Sequence, residues 1–155
     1  MNARTLKKHL QYIVPQMRLV LIKEPGPKPS TVYTPDDLDK FIQPLKLYSE
    51  EHFVSFHLDV KHQVTGYHIV SHGTTSASLV HPREVFKAAL LANSNAIIVA
   101  HNHPTGSLQP SEEDLNVTEI LIKAGELMGV KLLDHIIVSS SGTRSLRETH
   151  GHLWP

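Results

Sequence analysis

Between Ala96 and Asp114 the sequence leaves the backbone little choice. Ala96-Ile97-Ile98-Val99-Ala100 is wholly apolar and largely β-branched, and its length suits a buried strand better than a helix. His101 and His103 follow at its end. Side chains two apart on an extended backbone leave the same face, so both imidazoles can converge on one point. Pro104 disfavours helix at His103 and keeps that stretch extended. Residues 105–110 read as an irregular Gly- and Pro-containing loop. Ser111-Glu112-Glu113-Asp114 then precedes an apolar-periodic run, which predicts a helix with Ser111 as N-cap and Asp114 in its first turn.

Two neutral imidazoles and a carboxylate make three protein ligands, the number a catalytic zinc site uses when it keeps a fourth position for water. His101, His103 and Asp114 are therefore the candidate ligands of one zinc ion per chain. With no cysteine, thiolate-rich structural zinc sites are excluded. Each half of the pattern also has a plain structural meaning. Ser-x-x-Asp is an ordinary capping box, and a histidine pair at a strand end can simply be solvated. The two halves in series, with a Gly/Pro loop between them, are much more specific for a metal.

At 155 residues the chain fits one substantial core. No membrane-length apolar run is present, and the basic start Lys7-Lys8 is followed only by broken apolar residues and Pro15, so no signal peptide is expected. Absence of cysteine suits a reducing compartment, and a cytoplasmic location is expected. Formal net charge is zero, yet six basic residues stand before Pro35 against Glu24 alone. That excess of five could form a weak polyanion-binding arm, although a solvated terminus is the commoner meaning of such a run. Nucleic acid is accordingly a weakly supported partner.

In residues 16–23, Met17, Leu19 and Leu21 alternate with Arg18, Val20 and Ile22, which predicts a strand; Pro25, Pro27 and Pro29 make the following stretch a stiff linker. Residues 1–34 are thus expected to be an N-terminal strand and Pro-rich linker, and residues 35–155 the metal-binding domain. Thr34 should cap a helix carrying Leu38, Phe41 and Leu45, ended or kinked by Pro44. Residues 52–59 and 63–72 predict an antiparallel pair, and residues 77–80 a brief extended piece. Pro82 opens a helix running to about Asn93. A helix over residues 112–128 should bury Leu115, Val117, Ile120, Leu121 and Ala124, with Gly129 at its end. Residues 130–138 form a strong apolar strand, and a turn over 139–143 leads to a small edge strand. This order predicts an α/β fold with a mixed β-sheet flanked by helices.

The metal pattern resembles the JAMM motif of JAB/MPN-domain metallohydrolases, and the surrounding words are similar to the RadC branch. Val80-His81-Pro82-Arg83-Glu84-Val85, His101-Asn102-His103-Pro104 and Leu133-Asp134-His135-Ile136-Ile137-Val138 match that branch in order and spacing, over about residues 53–147. The resemblance implies the JAB/MPN (cytidine-deaminase-like) architecture, zinc, and a metallopeptidase-like hydrolase acting on a peptide or isopeptide bond. It also implies that Ser111, matching the motif serine, hydrogen-bonds a developing oxyanion besides capping its helix.

Family enzymes use an upstream glutamate on an earlier strand as general base. Counting back from Gly73 puts that position on His68, and residues 63–72 contain no acid. His68 can accept a proton at neutral pH and is the candidate substitute base, with Glu84 the nearest carboxylate in sequence. Glu84 opens a helix, where a glutamate ordinarily serves the dipole. His150-Gly151-His152 repeats the spacing without a following proline or downstream acid and reads as an adventitious chelator. His135 reads as a core residue or a support to the ligands. The missing glutamate leaves open a metal-retaining, non-catalytic binding module. The DNA-repair label that RadC proteins carry is a third reading, although the helix-hairpin-helix segment usual ahead of their metallohydrolase domain is replaced here by a short, different N-terminal segment.

Overall fold

The computed structural model describes residues 2–73 and 80–155. Its described strands form one sheet in the spatial order β1 (Ser30–Thr31), β3 (Gln63–His72), β2 (His52–Leu58), β4 (Ala96–Asn102), β5 (Lys131–Ser139) and β6 (Gly142–Ser145). Only β4 and β5 run parallel, so the sheet is mixed, as expected. The β2–β3 hairpin turns where the Asp59 carboxylate accepts the N–H groups of Lys61 and Gln63, with His62 at a φ of 58°. Asx-turn chemistry of this kind fixes a hairpin locally.

The described helices are α1 (Ala3–Leu10), α2 (Asp39–Ile42), α3 (Pro82–Leu91), α4 (Glu112–Met128) and α5 (Leu146–Thr149). α3 and α4 cover one face of the sheet, over Phe53, Ile97, Val99 and Leu132. The other face, bearing Val54, Phe56, Ile98, Ala100, Ile136 and Val138, is closed by Val32, Leu38, Ile42 and Leu45. Alternation along β2 and β4 therefore feeds two cores, which is why β4 is buried throughout.

α4 has the bounds the sequence predicts, with Ser111 as N-cap and Gly129 left-handed at its C-cap. Its buried face is shifted from expectation. Asp114, Val117, Thr118, Leu121, Ile122 and Gly125 point inward, whereas Ile120 is 51% exposed. Gly125 causes part of that shift, since a Cβ there would lie 2.4 Å from the Val130 carbonyl oxygen. Its absence lets the helix lie directly against the chain entering β5.

Two other expectations are corrected. Residues 16–23 form no strand, and Met17, Leu19, Val20 and Ile22 are largely exposed. Alternation supplies faces but no partner, and an unpaired strand cannot satisfy its backbone groups within the protein. The helix expected after Thr34 is broken into 3-10 turns over Pro35–Leu38 and Gln43–Leu47 around the four-residue α2. Pro44 cannot donate into a continuous α-helix. Of the brief extended piece at residues 77–80, all but Val80 lies outside the described residues. Among the described residues no helix is long and apolar enough to cross a membrane.

Candidate metal centre

β4 ends beside the start of β2, and its last residues set the site. His101 pairs across the sheet with Phe53, whose ring stacks on the imidazole at 5.8 Å. His103 leaves the same face just beyond the strand, where its N–H donates to the Val138 carbonyl. The loop then returns over the β5–β6 turn. Ser141 Oγ donates to the Gly106 carbonyl at 2.8 Å and Arg144 to Gln109 Oε1 at 3.0 Å, so the loop is moored at two points. It delivers α4 with Asp114 facing the histidines.

His101 Nε2 and His103 Nε2 are 2.9 Å apart, and each lies 3.2 Å from one oxygen of Asp114. Two ligands held tetrahedrally about 2.05 Å from zinc stand about 3.3 Å from each other. The three groups therefore fit one small cation and could hold a metal ion. His101 and Asp114 are buried, while His103 keeps some exposure, which leaves an approach from that side.

The outer atoms of each ligand are tied as well. His103 Nδ1 lies 3.0 Å from the Ser107 carbonyl, which can only accept; Nδ1 therefore carries a proton, and Nε2 is the nitrogen that faces Asp114 and would ligate a metal. The Ser111 N–H donates to Asp114 Oδ2 at 2.8 Å while Ser111 Oγ accepts from the Asp114 N–H at 3.1 Å. Burial alone would raise the Asp114 carboxyl, but hydrogen bonds from His101 and His103 outweigh it and hold the group well below the usual carboxylate range. The hydrogen bond to Asp114 correspondingly raises His103, against its partial burial.

The model of the RadC-like JAB domain matches residues 32–152. The chain belongs to this family. It is 41% identical over 128 residues to a UPF0758 protein of Methanosarcina acetivorans, covering 82% of this chain and 55% of that protein. A UPF0758 protein of Halalkalibacterium halodurans is 43% identical over 123 residues, covering 79% and 53% respectively. The chain thus spans about half the length of the curated relatives it matches.

Within this RadC-like JAB domain the predicted base is not beside the candidate ligands. His68 pairs with Ser55, whereas His101 pairs with Phe53, so the two histidines are separated by two rows and two strands. That is about 12 Å between Cα atoms at ordinary sheet spacings. The charge of His68 acts on His57 and on Glu84. Glu84 itself is exposed at the start of α3 and paired with Lys87 at 2.9 Å.

The carboxylate that does face the ligands is Glu51, which the sequence reading passed over. It stands just before β2, and its carbonyl accepts the Gly73 N–H, continuing the β2–β3 pairing. Parity with Phe53 turns its side chain toward the histidines. Burial raises the Glu51 carboxyl, the neighbouring His101 and His103 rings oppose that rise, and Asp114 adds to it. Asn102, between the two histidines but directed to the other face, fixes this stretch. Its Oδ1 accepts the His52 N–H at 2.6 Å, and its Nδ2 donates to the carbonyl of Glu50 at 3.0 Å. The second residue of His-Asn-His-Pro thereby positions the glutamate.

Proposed function

We propose that this chain is a zinc-dependent hydrolase of peptide or isopeptide bonds, with His101, His103 and Asp114 as ligands, Glu51 as general base and Ser111 as oxyanion donor. The observation that carries the reading is the meeting of three ligand atoms 2.9–3.2 Å apart with a second, half-buried carboxylate, Glu51, that couples electrostatically to all three. A zinc ion held there would supply a water of pKa about 7 and a Lewis acid to polarise a carbonyl.

The chain's own groups supply the remainder. Glu51 takes a proton from the attacking water and returns it to the leaving nitrogen, a role worth typically 10²–10⁴-fold in rate. Ser111 Oγ only accepts within its capping box, so its proton is free to be donated to the oxyanion. The alternative, a non-catalytic binding module, draws on the lack of an acid along β3, and the placement of Glu51 before β2 supports the hydrolase reading instead.

The test is metal content followed by cleavage. Purified protein should hold one zinc by elemental analysis, and His101→Ala, His103→Ala and Asp114→Ala should each lose it, with residues after Thr149 deleted to silence His150 and His152. The zinc-loaded parent should then cut a proteome-derived peptide library or isopeptide-linked peptides, scored by mass spectrometry. Stoichiometric zinc in all three variants would reject the site. A zinc-loaded parent that cuts nothing would return the reading to a binding module.

A further inference from the structure

His101 has a second ring nitrogen, and what it meets is unusual for a metal ligand. Its Nδ1 lies 2.7 Å from Nε2 of His135, another imidazole, rather than from a carbonyl or carboxylate. Either imidazole nitrogen can carry the proton, so this contact alone does not say which way the bond runs. The next two contacts do. His135 Nδ1 lies 2.6 Å from Thr118 Oγ1, and Thr118 Oγ1 lies 2.6 Å from the backbone carbonyl of Asp114, one helical turn back.

A carbonyl oxygen can only accept. The single hydroxyl proton of Thr118 is therefore committed to Asp114, and Thr118 must accept from His135. His135 Nδ1 then carries its proton. His135 is fully buried, with Phe53 against its edge at 5.5 Å and, among the described residues, no carboxylate hydrogen-bonded to its ring, so the ring is neutral and its Nε2 is a bare acceptor. His101 must donate from Nδ1, so Nε2 is the nitrogen left to face His103 and Asp114 and to be offered to a metal.

We propose that Thr118 and His135 are positioning residues that set the tautomer of His101, so that the backbone of one metal ligand, Asp114, prepares the lone pair of another. The inference rests on the reading of these residues as a metal site. α4 then contributes twice. Its first turn supplies the Asp114 carboxylate, and its second turn, through Thr118 and the β5 residue His135, sets the proton of a β4 histidine 13 residues upstream of Asp114 in sequence. Docking of α4 on the sheet and readiness of the strand ligand become one event.

The proposal is tested first without metal. Long-range proton–nitrogen correlation spectra of the metal-free full chain, labelled with ¹⁵N at histidine, report which nitrogen of each ring is protonated. The expected result is Nδ1–H on both His101 and His135. An unprotonated Nδ1 on His101 in the metal-free parent overturns the proposal.

Zinc affinity by chelator competition supplies the second arm. Thr118→Val keeps the shape but removes the acceptor, and zinc affinity should fall about 10- to 100-fold, the range seen when a ligand's hydrogen-bonding partner is lost. Thr118→Ser should bind as the parent does. His135→Gln can still accept from His101 and donate to Thr118, so it should retain affinity within about threefold, whereas His135→Leu should not. Equal affinity in Thr118→Val and Thr118→Ser overturns the proposal. Should an apolar variant fail to fold, the Ser and Gln variants and the spectra of the parent still decide it. A parent with the expected tautomers that binds no zinc would sink the metal reading and leave the relay standing.

Discussion

Two histidine groups look toward the α3–α4 layer from the same face of the same sheet, and they are built on opposite terms. At the end of β4 every polar atom is spoken for. His101 meets His135, His135 meets Thr118, His103 meets Ser107, and Asp114 is hydrogen-bonded by Ser111. Two residues further along β2, the Ser55 hydroxyl and His57 Nε2 are buried with no hydrogen-bond partner among the described residues. There burial pushes His57 down to about 4, with the charge of His68 adding to the effect. The comparison teaches that a buried histidine is not by itself a functional signal. What separates the groups is whether the second nitrogen of each ring is held, because a held ring presents a defined lone pair.

The largest expected difference is in catalysis. Glu51→Gln should keep zinc and lose about 10²- to 10⁴-fold in rate, the contribution of a general base. His68→Ala and His68→Glu should both turn over as the parent does. Rate constants for the three variants at matched zinc occupancy check this; a large loss in His68→Ala with normal Glu51→Gln would move the catalytic function to the other histidine group.

The second difference is in acid stability. The His57 value in the folded chain lies below the unfolded value of about 6.5, so folding favours the neutral ring. Its stability contribution is fully present above about pH 6.5 and is lost as pH falls from there through about 4, up to about 3 kcal/mol in all. Urea unfolding of the metal-free protein at pH 7 and pH 4.5 measures it. His57→Leu should flatten that part of the pH dependence, and an unchanged slope in the variant would show that His57 does not carry it.

How much of this was legible beforehand depended on how local the cause was. α4 could be read to the residue, because Ser111, Asp114 and Gly129 act on the backbone within one turn of themselves. The convergence of His101, His103 and Asp114 followed from strand parity and a helix cap, both short-range. Glu51 was hidden. It follows Ser49-Glu50 in what looks like a solvated turn, and only the antiparallel register of β2 on β4, a pairing of residues some fifty apart, brings it to the histidines. The strand that the family resemblance points to, β3, lies one strand further from His101 and His103 and carries no acid. Residues 16–23 failed for the converse reason, since their alternation is a local property and their pairing is not.

The smallest effect expected is at the N-terminus. Among the described residues 2–29 none is buried, and the family match begins at residue 32. Deleting residues 1–29 should change unfolding free energy by no more than about 0.5 kcal/mol and leave zinc affinity unaltered. A larger loss, seen by urea titration and chelator competition, would show that this segment supports one of the two histidine groups.

Gly125 gives α4 the character of a lever. The residue lies about 16 Å along the helix from Asp114, at a rise of about 1.5 Å per residue. At that distant end the helix rests on the backbone of Val130 and Leu132, with the Phe86 ring beside it. A methyl group introduced there wedges this end of the rod off the sheet, and a stiff rod pivoting over Val117 and Leu121 swings its other end, which bears the carboxylate. The candidate metal centre thus depends in part on a glycine that touches none of its ligands, and substitutions there should register as lost stability together with weakened zinc binding.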